Sequence, residues 1–262
     1  MRWSDPLADA RRRYLAQQIE LGGPEVFLAR PWPAAAMPEP VPTEPKAAEP
    51  KWKIGAPPIP GPGLMVETPP ASLLGNELSG LETLEAVAER ICSTHCCALC
   101  PQRTNAVPGE GNPRAKLMLV GEGPGATEDA TGRPFVGQAG KLLDDILLAI
   151  EVPRETVYIT NIVKCRPPQN RKPLPDEIAS CIPYLHRQIE LIRPKVLLAL
   201  GGTAGEAMLG VRKSLGELRG KVHSFNGIPL VATYHPAALL RNPNWKKPTW
   251  DDVRIVRQLL DR

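Results

Sequence analysis

Residues 121–140 read Gly-Glu-Gly-Pro-Gly-Ala-Thr-Glu-Asp-Ala-Thr-Gly-Arg-Pro-Phe-Val-Gly-Gln-Ala-Gly, and their types could do chemistry. Two carboxylates, Glu122 and Glu128, stand in a segment broken by glycines at 121, 123 and 125, with an aromatic ring, Phe135, at its far end. Such glycines let the backbone come close to a flat ligand and turn its N–H groups inward. Close backbone, a carboxylate and a stacking ring suit a planar heterocycle. A phosphate-binding loop more usually carries a Lys, and this one has none.

Two further segments carry groups of the same kind. Asn161, in Thr160-Asn161-Ile162-Val163-Lys164-Cys165-Arg166, offers an acceptor and a donor in one plane, the geometry that reads the edge of a nucleobase. Taken alone, the same Asn is also a common turn cap. His235 opens Tyr234-His235-Pro236-Ala237-Ala238-Leu239-Leu240-Arg241, and a lone His in such a place is often only structural. Here it precedes two leucines and an arginine where loop chemistry would be polar. Apolar wedges beside a cation suit insertion into a base stack.

The elements that must position these groups follow from the apolar pattern. Short apolar runs predict strands over Lys116–Gly121, Val157–Thr160, Val196–Leu200 and Pro229–Thr233. Helical spacing occupies Gln138–Ile150, Asp176–Ile192, Gly202–Leu209 and Thr249–Leu260, with another helix over Leu78–Cys92. This alternation predicts an α/β fold: a three-layer α/β/α sandwich on a central, mostly parallel four-stranded sheet. Ligands in such folds bind beyond the carboxyl ends of the strands, so the loops after Val120, Thr160, Leu200 and Thr233 matter most.

The N-terminal third differs. Residues 5–22 carry helix signals from Asp5-Pro6 to Gly22-Gly23, with a partial stripe of Leu7, Tyr14, Leu15 and Ile19. Between Pro31 and Pro70, thirteen of forty positions are Pro, which predicts an extended linker. The reading is therefore an arm over 1–30 suited to a protein partner, a linker over 31–77 and a catalytic domain over 78–262. The net charge is +4, and residues 81–262 hold 24 Lys/Arg against 19 Asp/Glu, which suits a polyanionic partner. No apolar run has membrane length and the N-terminus lacks a signal-type apolar segment, so a cytoplasmic protein without membrane contact, and a monomer, is expected. Six cysteines without a secretion signal argue for metal or redox use over disulfides. Cys92, Cys96, Cys97 and Cys100 crowd one segment, and Cys165 and Cys181 follow downstream.

Taken together, GEGPGATED, GRPFVGQAGKLL, ITNIVKCRPPQNR and YHPAALLRNP occur in one order across roughly residues 90–260. In this the chain resembles the uracil-DNA glycosylase superfamily, and most closely its family 4, the iron–sulfur branch. The resemblance implies hydrolysis of the N-glycosidic bond of uracil in DNA, by a monofunctional repair enzyme that flips the base into a pocket. Glu122 and Gly123 would line that pocket, Glu128 would sit near the C5 edge, Phe135 would stack on uracil, Asn161 would read O4 and N3–H, and His235 would face O2. Which of Glu122 and Glu128 serves the sugar or the attacking water stays open. Leu239, Leu240 and Arg241 would fill the gap in the duplex, and Arg166 and Arg171, with Lys164 and Lys172, would touch phosphates unless they are only a solvated loop.

The resemblance also implies a structural [4Fe-4S] cluster and no nucleotide cofactor. Cys165 and Cys181 match the family's Cys-x15-Cys spacing. Cys97 is in register, but Thr94 stands where its partner would fall; Cys100 restores a Cys-x2-Cys and is taken as the fourth ligand, ahead of Cys92 or Cys96. Four thiolates also suit zinc. Two other functions are weighed: a relative that links covalently to the abasic sugar through a His, for which Gly132–Gln138 shows no basic insertion, and a non-catalytic Fe–S nucleic-acid module, which would be expected to lack the pocket residues.

Overall fold

The computed structural model describes residues 49–68, 77–94 and 97–262, together with Arg12, Arg13, Ala16 and Gln17. The chain divides into a unit of Met1–Ala48 and a unit of Glu49–Arg262. In the first, the four described residues are helical; the rest of the helix expected over 5–22 and the linker expected over 31–48 lie outside the described residues.

Among the described residues the second unit is built on seven strands: β1 (Pro62–Val66), β2 (Glu110–Gly111), β3 (Leu117–Gly121), β4 (Tyr158–Asn161), β5 (Val196–Leu200), β6 (Val222–Phe225) and β7 (Ile228–Thr233). Their order is β1-β6-β7-β5-β3-β4-β2. The run β7-β5-β3-β4 is parallel throughout and is the four-stranded sheet the apolar runs predict. Three strands extend it: β6 antiparallel to β7, β2 antiparallel to β4, and β1 parallel to β6.

The sheet is covered on both faces because its strands are apolar on both. In β3, Leu117 and Leu119 point to one core with Leu143 and Leu147 of α3 (Gln138–Ala149) and Val253, Val256 and Leu259 of α8 (Lys246–Asp261). Met118 and Val120 point to the other, with Leu185 and Ile189 of α4 (Pro175–Ile192) and Ala204 and Met208 of α5 (Gly202–Leu209). A smaller core joins Val87 and Ile91 of α1 (Leu84–Ser93) to Tyr184 on α4. Three short helices, α2 (Ala126–Thr131), α6 (Leu215–Leu218) and α7 (Pro236–Arg241), lie where the sequence reads as loop. Among the described residues no helix is long and apolar enough to cross a membrane.

The linker expectation is corrected over residues 49–68. Trp52 is buried in the core beside α8, with Arg257 over its ring. The carbonyls of Ile54 and Pro57 accept from Arg254 and Gln258 of α8. The chain then enters the sheet as β1, where Leu64 N–H donates to His223 Nδ1 at 2.9 Å. Proline does not prevent this, because an edge strand needs only one row of backbone partners. The second unit begins at residue 49, not 78.

Candidate active site

The carboxyl ends of β3, β4 and β7 open on one cleft of about 320 Å³, lined among others by Glu122, Gly123, Glu128, Phe135, Asn161 and His235. The three segments singled out by residue type are thus brought to one place. The reason is topological: parallel strands β3, β4 and β7 all end on the same edge of the sheet.

Asn161 ends β4 and is buried. Its Oδ1 is buried without a hydrogen-bond partner among the described residues. Such an orphan costs about 1–3 kcal/mol unless something else satisfies it. Opposite it, a Cβ on Gly121 would fall 2.3 Å from that oxygen and 2.7 Å from the Phe135 ring. Glycine at 121 is what lets the amide and the ring close on one slot.

Phe135 is held in a left-handed conformation (φ 51°), which costs a non-glycine residue about 1–3 kcal/mol. Two clamps hold it. From outside, Arg154 donates to the Pro134 and Phe135 carbonyls at 2.8 and 3.1 Å, and is itself paired with Glu110 and Asp144. From inside, Glu128 Oε1 accepts from Val136 and Gly137 N–H at 3.0 and 2.9 Å, while Oε2 accepts from Gly125 N–H at 3.2 Å. Both Glu128 oxygens are therefore occupied by backbone. The Glu122 carboxylate, by contrast, has no hydrogen-bond or ion-pair partner among the described residues, and it lines the cleft.

His235 caps α7, its Nδ1 accepting from Ala237 N–H at 3.2 Å. That bond leaves the proton on Nε2, a donor. Burial, and then the charge of Arg241, push the imidazole down to about 4 against the opposing pull of Glu128, so the ring is neutral at pH 7. Gly201, with φ 98°, packs its backbone where a Cβ would lie 3.3 Å from the His235 Cβ. The fourth loop thus contributes by letting the histidine in.

The cations sort themselves less evenly than expected. Arg171 lines the cleft but makes a bidentate pair with buried Glu177, at 2.9 and 2.6 Å. Arg166 donates to Asn170, and Lys172 pairs with Glu206. Lys164 does not reach a phosphate at all: it is fully buried, and its Nζ donates to Thr160 Oγ1, the Asn161 carbonyl and Gln188 Oε1 at 2.6, 2.8 and 2.8 Å. Arg241 lines the cleft and is exposed. Leu239 is corrected from wedge to core. Only 1% exposed, it lines an apolar cavity with Leu142, Ile146 and Val253, whereas Leu240 is 47% exposed. The i and i+1 positions of a helix cannot share a face.

The cysteines divide in the same way. Cys100, Cys165 and Cys181 are buried in one cluster with Cys97 at its edge. Cys97 and Cys100 sulfurs stand 3.7 Å apart, and those of Cys100 and Cys165 3.6 Å. Cys92 is exposed, outside this group, and Cys96 lies outside the described residues. Arg103 donates to Cys165 Sγ at 3.1 Å, although burial pushes that thiol up to about 12. Among the described residues no set of three or more His, Cys, Asp or Glu side chains stands in metal-holding geometry. The donor chemistry itself, soft sulfurs drawn together with a cation against one of them, fits a thiolate-bound centre.

Residue types alone did not reveal Arg154 and Glu110, whose pairing spans 44 positions and has no sequence signature.

The mostly parallel α/β sheet carries these groups at its carboxyl edge, and the chain belongs to the Uracil DNA glycosylase superfamily, whose family model matches residues 108–258. It is 45% identical over 188 residues to the Type-4 uracil-DNA glycosylase of Sulfurisphaera tokodaii, covering 68% of this chain and 86% of that protein. Against the Type-4 uracil-DNA glycosylase of Thermotoga maritima it is 48% identical over 163 residues, 62% of this chain and 85% of the relative. The Saccharolobus solfataricus protein of the same name is 45% identical over 189 residues, 69% and 88% of the two chains.

Proposed function

We infer that this chain is a type-4 uracil-DNA glycosylase, a repair enzyme that hydrolyses the N-glycosidic bond of uracil flipped out of DNA. The observation that carries the reading is the orphaned Asn161 Oδ1 beside the Phe135 ring, an acceptor that uracil N3–H would satisfy. Extrusion of the nucleotide costs about a few kcal/mol, and stacking on an aromatic ring returns about 1–3.

In the reaction the N1–C1′ bond breaks with its electron pair leaving on the base, whose charge gathers on O2. His235 Nε2–H, kept neutral and oriented by Ala237, donates to that oxygen. Glu122, with its carboxylate unpartnered, stabilises the cationic sugar and orients a water, which adds its oxygen to C1′ and gives its proton to that carboxylate; the proton then passes to the released uracil anion. Glu128 acts through the loop it binds and limits space at the C5 edge, where thymine carries a methyl. Monofunctional hydrolysis fits the cleft, because a lyase needs an amine and no Lys is among the residues lining it.

Cys97, Cys100, Cys165 and Cys181 would hold a structural [4Fe-4S] cluster, supported by their packing in one group. When bound, the group crosslinks three segments of chain and supplies no electron to hydrolysis. The reading also gives residues 1–30 to a protein partner, keeps the enzyme monomeric and places it with DNA in the cytoplasm.

Incubation with a uracil-containing oligonucleotide tests the function: free uracil and an abasic strand that breaks only after alkali are expected, and strand cleavage without alkali would refute monofunctional hydrolysis. Iron and zinc analysis of the purified protein tests the centre. Cys100→Ala, Cys165→Ala and Cys181→Ala should each lose iron and visible absorbance, and a colourless zinc protein would overturn the cluster.

A further inference from the structure

Trp245 is an exposed aromatic ring that the chemistry of base excision does not use. It closes the short turn Pro243–Trp245 that follows α7, directly after Arg241 of the cleft. The turn is fixed, with Asn242 Oδ1 accepting from Asn244 N–H and the Trp245 carbonyl accepting from Thr249.

The ring is supported by a second aromatic side chain. Tyr234, the neighbour of His235, stacks on it at 4.7 Å between centroids with 7° between planes. Under Tyr234 lies the Arg219 guanidinium, 4.6 Å from its centroid. Arg219 is anchored in turn by Asp252 and the Pro248 carbonyl, both at 2.7 Å. The result is a column of guanidinium, phenol and indole. Its outer member remains 36% exposed.

The chain on either side of Trp245 carries cations. Arg241, Lys246 and Lys247 are exposed and have no ion-pair partner among the described residues. Exposed Leu240 stands on the same segment. Flat aromatic surface flanked by unpaired cations is what a single nucleic-acid strand needs: π-faces for its bases and charge for its phosphates. An acidic peptide would use the cations but leave the indole face idle.

We propose that Trp245 is a stacking platform for the base next to the extruded uracil on the same strand, with Arg241, Lys246 and Lys247 holding the adjoining phosphates. Resting on the glycosylase reading, this adds the site where the broken stack is repaired. Extrusion leaves the neighbouring base without one stacking partner. A ring already immobilised by Tyr234 and Arg219 replaces that partner with little loss of side-chain freedom.

The test compares wild type, Trp245→Phe and Trp245→Ala on uracil oligonucleotides in which a tetrahydrofuran spacer replaces the base 5′ or 3′ of uracil. KM is measured for release, and affinity by fluorescence anisotropy. On the unmodified strand Trp245→Ala should weaken binding about tenfold, within the range for one stacked base, with kcat nearly unchanged and Trp245→Phe close to wild type. With the spacer on one side, wild type and Trp245→Ala should become equal. Equal binding on the unmodified strand, or a deficit that persists in both spacer substrates, would overturn the platform. Failure of the wild type to release uracil would instead refute the glycosylase reading, and anisotropy would still decide the stacking.

Discussion

The Phe135 and His235 rings stand 5.4 Å apart at 31°, one from the loop after β3 and the other from the start of α7. Both rings line the cleft, together with Asn161. Because Phe135 is held by backbone contacts in a costly conformation, its position depends in part on Arg154, which is not among the residues lining the cleft.

Arg154→Ala should show this. It removes the donor to the Pro134 and Phe135 carbonyls and leaves Glu110 with Arg133 alone. Uracil release should slow about tenfold or more through misplacement of the ring, and inhibition by free uracil should weaken in parallel. Unchanged uracil inhibition would separate Arg154 from the slot.

The two carboxylates should behave oppositely. Glu128→Gln loses one oxygen from a set of three backbone bonds and leaves donors unpaired, at a cost of about 1–3 kcal/mol seen in thermal unfolding. Glu122→Gln, which breaks no bond, should leave the melting temperature unchanged and lower kcat. A large fall in melting temperature for Glu122→Gln would contradict its being unpartnered.

His235 should act as a neutral donor. Its replacement by Ala should lower kcat about 10²–10³-fold, the usual loss for one donor to a developing oxyanion. The imidazole titrates near 4, so its contribution to the rate should be flat from pH 8 to about 5 and fall below that. The linkage to stability has a definite sign. The folded value lies below the ordinary 6.5, so this residue's share of stability is complete above about 6.5 and is lost as pH falls toward 4. Urea titrations at pH 7 and pH 5 should show a smaller loss for His235→Asn than for wild type.

Lys164 should be a positioning residue for Asn161, whose carbonyl it binds. Lys164→Met leaves Thr160, Asn161 and Gln188 oxygens short of a donor and should destabilise by about 1–3 kcal/mol. If Lys164 works through Asn161, the loss in kcat/KM from Lys164→Met should largely vanish in an Asn161→Ala background. Full additivity would refute the link.

The strap over residues 49–66 should be part of the folded unit. Trp52→Ala empties a core site and should cost about 3–5 kcal/mol. Deleting residues 1–48 should leave the melting temperature and turnover on a short oligonucleotide nearly unchanged, whereas deletion through residue 68 should lower both. Equal behaviour of the two deletions would return residues 49–68 to a linker.

By itself the sequence determined the four central strands, the helices between them and which residue types gather at their ends. Apolar periodicity is local, and parallel connections leave few ways to arrange it. It also contains a hairpin signal, Asn226-Gly227 between β6 and β7, which is weak because β6 is only four residues long. Tertiary structure alone decided what each polar side chain is free to do. Glu122 and Glu128 look equivalent in the loop, yet backbone N–H groups from positions 125, 136 and 137 occupy one and leave the other. Lys164 and Leu239 sit in motifs that read as DNA-facing, but a strand end and a helix face turn both inward. The burial of Trp52 depends on α8, 200 residues downstream of the strap it meets. Hydrogen-bond partners and burial are set by long-range contacts, and no local pattern encodes them.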